Sequence, residues 1–214
     1  MNYWINVALS YSIIISVVIS CFKYKRIVHH FRPFVFSLWF NFLGCIFSNL
    51  TAFFWRNNAI VHNIYFIVFC LLILWQFNQW GLFSKYRHLF QIVLLTFVFV
   101  WVIDNFIIGS PFVFNSYARI INSFLIVLMS IQLLSGELLA SWESFWKNSV
   151  LLVLFSYVIF FVVKILVEVA WQFGTTMSDS FMLITYFSFV FVNFLVNIIY
   201  VPAVIWIPVK PKFT

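Results

Sequence analysis

Seven apolar runs of about 20 residues, separated by short polar breaks, constrain this chain more than any other feature, because each run is long enough to cross a bilayer as a helix. Only 8% of the 214 residues are charged, where soluble domains average about a quarter. No connecting segment is long enough to form a soluble domain of its own. The expected fold is therefore an all-α membrane protein, one seven-transmembrane-helix bundle over residues 1–214. Its spans are expected near 5–22, 34–55, 60–83, 89–108, 116–135, 149–173 and 180–207. An alternative with six spans lays the first run on the membrane surface. That run is read as a retained span because Met1-Asn2-Tyr3-Trp4 lacks a basic leader and Cys21-Phe22-Lys23 is a poor cleavage context.

The basic residues set an expected orientation. Lys23, Lys25, Arg26 and Arg32 follow the first run, Lys85 and Arg87 follow the third, Lys147 precedes the sixth, and Lys210 and Lys212 end the chain. Only Arg56 and Arg119 fall towards the other side. By the positive-inside rule the N-terminus lies outside and the C-terminus in the cytoplasm. Tryptophans agree: Trp4, Trp55 and Trp171 fall near the outer boundary, and Trp80, Trp142, Trp146 and Trp206 near the inner one. The loop with Glu137, Glu143 and Lys147 is not basic and takes its side from its neighbours. The net charge of +7 is thus a topology signal at span ends, and no nucleic-acid partner is expected.

Chemistry is confined to the spans. The sixth carries Lys164 and Glu168 four residues apart, so both side chains share a helical face and can partly neutralise each other. Charges at membrane depth are costly and usually face a bundle interior, with partners. Counting depth at about 1.5 Å per residue places Asp104 and Lys164 roughly 22 Å across a core of about 30 Å, with Glu168 one turn further out near Arg119 and Asn122. Lys164 is expected to be held by Asp104 as well as Glu168. Asn49, Asn63 and Tyr186 fall in or near the same layer, as does His62, which is read as an interfacial residue. The expected ligand-binding pocket, in the outer half, comprises Asp104, Arg119, Asn122, Lys164, Glu168, Asn49, Asn63 and Tyr186. Ion pairs and asparagines also serve in bundles simply to fix helix register. The stripe Asn41, Cys45, Ser48 and Ala52 reads as a close-packing face.

No cofactor or metal is expected. The last span has no lysine at mid-depth for a retinal link, no HExxH or GxSxG pattern occurs, and Cys21, Cys45 and Cys70 lie in apolar runs without CxxC spacing. An intramembrane enzyme rests only on Asp104, His62 or Glu168 as acid or base. Two function classes remain. One is receptor-like or accessory binding of an external small ligand or membrane-protein partner. The other is a small-solute transporter or channel, in which Asn122, Gln132, Asn193 and Asn197 would continue the pocket across the bilayer. Phenylalanines around Phe160 and Phe189 are expected to close that route as a dry layer.

His62-Asn63-Ile64-Tyr65 opening the third span, and Phe114-Asn115-Ser116-Tyr117-Ala118-Arg119 opening the fifth, give the chain a resemblance to small seven-helix membrane proteins common in Bacteroidota. The resemblance implies seven helices and nothing more; the expected location is a bacterial inner membrane. It carries over no functional residues.

Overall fold

The computed structural model describes residues 3–140, 145–172 and 178–209. Seven helical segments in it are long and apolar enough to cross a membrane: Val7–Arg26, His29–Trp55, Ala59–Gln79, His88–Ile108, Tyr117–Leu139, Ser149–Gln172 and Asp179–Ile205. The first is α1 (Tyr3–Ser10), a 3-10 turn and α2 (Ile14–Lys23) in series. The others are built on α3 (Arg32–Trp55), α4 (Ala59–Gln79), α5 (Arg87–Val102), α6 (Tyr117–Ala140), α7 (Ser149–Gln172) and α8 (Asp179–Ile205). This is the architecture of a multi-pass membrane protein. Its outward surface is itself apolar, with Ile92, Leu95 and Phe99 on α5 and Leu183 and Ile184 on α8 exposed, a surface suited to lipid and not to water. The expectations for Trp142, Glu143, Thr175, Lys210 and Lys212 lie outside the described residues, as do those for the side chains of Trp4 and Arg87.

Local chemistry sets most helix ends. Pro33 opens α3, where its missing N–H has no helical partner to lose. The Asn148 carboxamide oxygen accepts from the Val150 and Leu151 amides to cap α7, and the Ser178 hydroxyl accepts from Phe181 N–H to cap α8. The ends of the third and fifth spans differ from expectation. The third span stops at Gln79 rather than near 83, because Gly81 takes a left-handed φ of 85° and turns the chain. The fifth runs on through Ser135 and Gly136 to Ala140, since one glycine costs a helix only about 1 kcal/mol against the apolar residues that continue it.

Six segments form a ring. α2 touches α3, α3 packs on α4, α4 on α6, α6 extensively on α7, α7 on α8, and α8 returns to α1 and α2. The first run is therefore a bundle member and not a surface helix. α5 stands outside the ring, against α4 and α6 alone among the major contacts. Because the chain alternates direction, one face gathers Lys23, Lys25, Arg26, Lys85 and Lys147, here called the basic face. The opposite face, called the loop face, carries the α3–α4 turn and the α5–α6 connection.

The basic face is closed by side chains that satisfy helix ends. Gln76 of α4 is fully buried; it accepts from Phe34 N–H at 2.7 Å and donates to the His30 carbonyl at 2.6 Å, which fixes the start of α3. Lys23 donates to the carbonyls of Val204 and Ile205 at 3.2 and 2.6 Å, a cation on the last turn of α8 where orphan carbonyls and the helix dipole favour one. Next to these ends lies a buried aromatic layer. Phe34 meets Tyr200 with ring centroids 5.5 Å apart, Phe77 meets Tyr157 at 6.0 Å, and Tyr157 meets Tyr200 at 6.5 Å, all buried.

Candidate functional site

The half of the bundle towards the loop face is polar and hollow. It is assembled from the α5–α6 connection inward. α5 ends in a π-helical turn, Ile103–Ile108, in which Gly109 N–H reaches back five residues to the Asp104 carbonyl at 3.0 Å. The widened turn buries both Asp104 and Asn105. Asp104 uses its carboxylate on the next helix, accepting from Ala118 N–H at 2.8 Å in the first turn of α6. Asn105 accepts from Asn115, whose carboxamide also donates to Ser110 C=O, so the connection is tied back on itself.

This positions Ser116 and Arg119 at the start of α6 facing α7. Glu168 of α7 receives three bonds there. Its Oε1 lies 3.1 Å from Lys164 Nζ and 3.3 Å from Arg119 Nη1, and its Oε2 accepts from the Ser116 hydroxyl at 2.9 Å. One carboxylate thus serves two cations. Arg119 is held on its other side by Asn63 of α4, whose carboxamide oxygen accepts from Nη2 at 2.7 Å. The Asn63 amide donates to the carbonyls of Pro111 and Val113 at 3.0 and 2.8 Å, and its backbone carbonyl accepts from the Trp101 indole at 2.9 Å. Asn63 therefore joins α4, α5, the connecting loop and Arg119.

These groups back a cavity of about 390 Å³ bounded by α1, α3, α4, α7 and α8 and the start of α6. Arg119, Lys164 and Glu168 form one side of it. Lys164 is the most open of the three, with its side chain 15% exposed against 4% for Glu168 and 7% for Arg119. Its ammonium sits 5.3 Å from the Phe66 ring centroid and 5.6 Å from that of Phe189, between two aromatic faces that partly replace its lost water. Facing it on α3 and α4 are Asn41, Cys45, Ser48, Asn49 and His62. The His62 ring and Ser48 hydroxyl share a hydrogen bond of 2.8 Å, Asn49 donates to Tyr11 at 2.9 Å, and Tyr65 donates to Asn41 at 2.9 Å. Lining residues nearest the helix ends, Phe114 and Trp171, are exposed, so the cavity opens towards the loop face.

The chain has no significant match among protein-family models, curated proteins or solved structures.

Of the residues expected at the site, Arg119, Asn49, Lys164, Glu168 and Tyr186 line the cavity, and Asn63 stands directly behind Arg119. Asp104 and Asn122 do not line it. The expected Lys164–Asp104 pair does not form: among the described residues the ion pairs are the two at Glu168. Asp104 is spent on the α6 N-terminus, and the residue α6 sends to Glu168 is a second cation. Asn122 points away towards α5, donating to the Phe97 carbonyl at 3.4 Å. Phe160 and Phe189 line the cavity, their ring centroids 5.7 Å apart. Nearer the basic face Phe34, Phe77, Tyr157 and Tyr200 form a second, buried aromatic layer. The stripe Asn41, Cys45, Ser48, read as a packing face, lines the cavity, and so does His62. Polar residues on α3 and α4 at compatible depth were the signal for that wall.

Gly44 allows the wall its shape. A Cβ there would clash with the Cδ2–Cε2 edge of the Tyr65 ring, and that ring is stacked on Phe40 and Phe69 with centroids 5.5 and 5.7 Å away. Tyr65 has little room to retreat. Gly44→Ala is expected to destabilise the protein by about 1–3 kcal/mol, read as a lower melting temperature in detergent. An unchanged melting temperature would show that the column of stacked rings is loose.

Proposed function

We propose that this protein is a receptor-like or accessory binding protein whose cavity takes a small ligand from outside the cell. The observation that carries this reading is the cavity itself: about 390 Å³, open at one face, with two cations and a carboxylate on one side and aromatic rings around them. Sites for small molecules are concave, mostly apolar, and carry a few convergent polar groups. Binding is favoured over passage by the polar groups that do not connect. Asn197 donates to Ser12 at 3.0 Å, Asn122 to a backbone carbonyl, Gln132 is exposed, and the aromatic layer stands between Asn193 and the basic face.

The orientation that goes with this reading puts the basic face in the cytoplasm, the N-terminus outside and the cavity mouth outside, in a bacterial inner membrane. Lys23, Lys25, Arg26, Lys85 and Lys147 on a single face support it. Cysteines placed singly at the exposed positions Phe112 and Tyr86, with Cys21, Cys45 and Cys70 replaced by alanine, distinguish the two faces. Phe112→Cys is expected to react with an impermeant maleimide on intact cells, and Tyr86→Cys only after the membrane is opened. The reverse pattern would place the mouth in the cytoplasm.

Binding itself is tested in nanodiscs with a panel of small amphiphiles of both charges and none, using melting temperature as the readout. A ligand at about 100 times its Kd stabilises by about 2.7 kcal/mol, enough to move the midpoint by several degrees. At least one compound is expected to do so in the native protein and fail in Asn193→Phe, which fills the cavity floor. Equal shifts in both proteins, or none in the native one, would remove the case for a binding cavity.

A further inference from the structure

The charges on the cavity wall do not balance, and the imbalance has a direction. Lys164 and Arg119 face a single acid, Glu168. Both oxygens of that acid are occupied, Oε1 by the two cations and Oε2 by Ser116. Asp104, the other acid at this level, is turned to the Ala118 amide and does not line the cavity. Lys164 has three N–H donors and gives one to Glu168, so donors remain on the group most open to the cavity. The cation most open to the cavity shares its acid with Arg119 and has donors to spare, and an incoming anion would use them. Beside this cluster Phe66, Phe69, Phe161 and Phe189 line the same space, across from the polar groups of α3.

From this wall we infer that the ligand is a monoanionic amphiphile, a carboxylate head on an apolar body, with the head on Lys164 and Arg119 and the body among the phenylalanines. This rests on the cavity being a binding site. A cationic ligand meets two like charges and an acid already bonded at both oxygens, and a neutral one gives the spare Lys164 donors no charged partner. The same chemistry is carried by a water-soluble organic acid and by a fatty acid drawn from the membrane.

Octanoate, octanol and octylammonium share one chain and differ in head charge, so their binding to the protein in nanodiscs isolates the head. Octanoate is expected to bind about tenfold or more tightly than either of the others, the difference a charge-assisted hydrogen bond supplies. Lys164→Met should erase that preference and Lys164→Arg should retain it, while Lys25→Gln on the basic face should leave it unchanged. The conservative Arg variant keeps the test valid if the Met variant does not fold. Oleate binding more tightly than octanoate would mark a membrane-borne acid, and the reverse a soluble one; either result supports the inference. Octanol or octylammonium equalling octanoate, with all of them excluded by Asn193→Phe, would overturn the anionic ligand and leave the binding cavity standing. No binding by any of the three would overturn the inference, and the wider panel then decides whether the cavity binds at all.

Discussion

Glu168→Gln is expected to be the most damaging single substitution in this protein. The glutamate Oε1 is the common partner of Lys164 at 3.1 Å and Arg119 at 3.3 Å, in side chains that are nearly buried. Glutamine keeps the shape and removes the charge, leaving two cations close together with nothing between them. Breaking a buried charge cluster by removing one partner costs about 3–5 kcal/mol, because the remaining charge is stranded. Against a total stability of about 5–15 kcal/mol, that is a third or more of what holds a domain folded. The expected result is a large fall in melting temperature or loss of folded protein on extraction. Adding Lys164→Met should restore part of the loss, since it removes one stranded cation. Lys164→Met alone should cost much less, because Glu168 keeps Arg119 and Ser116. Lys164 and Asp104 provide the contrast. They form no ion pair, so their substitutions should couple less strongly than those of Lys164 and Glu168, for which a coupling of about 1–3 kcal/mol is expected. A Lys164/Asp104 double variant more stable than the sum of its singles would show that the pair forms after all.

Asn63→Leu is expected to be the second most damaging change, and its effect should reach the cavity. The Asn63 side chain makes three hydrogen bonds, two to loop carbonyls and one from Arg119. Leucine is similar in size but leaves the carbonyls of Pro111 and Val113 and one guanidinium nitrogen without partners. Buried groups left unsatisfied cost about 1–3 kcal/mol each, more when charged, although the loop carbonyls can turn to water. A net loss of about 2–4 kcal/mol is expected. Freed from Asn63, Arg119 has only Glu168 and the Phe114 ring, 5.3 Å from its Cζ, to hold it in place. The variant should therefore melt lower and bind octanoate more weakly. Asn63→Asp can still accept from Arg119 but cannot donate to the loop, and its carboxylate supplies Arg119 with a second acid, so it too should bind octanoate more weakly than the native protein.

The helices were legible because their cause is one-dimensional. Runs of apolar residues bounded by Pro33, the Arg56-Asn57-Asn58 turn, Gly109-Ser110-Pro111 and Ser178 need no knowledge of neighbours. Glu168 and Arg119 were also legible, since depth follows from residue count and opposite charges at one depth seek each other. What depth does not supply is azimuth. Asn122 lies at the right level and faces α5; Asp104 lies at the right level and is taken up by an amide of α6. The π-turn that rotates Asp104 into that position leaves no mark in the hydrophobic pattern. The displacement of α5 from the ring is equally silent, because its lipid-facing and bundle-facing residues are both apolar. The polar wall of α3 was visible as a stripe but not as a cavity. Small polar residues serve close packing and open space equally well, and the stripe alone does not say which.

The native Cys45 sits on the cavity wall and offers the most direct measurement. With Cys21 and Cys70 replaced by alanine, an impermeant anionic methanethiosulfonate is applied to intact cells and, separately, to inverted membrane vesicles. A cavity open to the outside and sealed by the aromatic layer predicts modification of Cys45 in cells, slowed by octanoate, and none in inverted vesicles. Modification from the cytoplasmic side, or from both sides, would contradict a one-sided binding cavity.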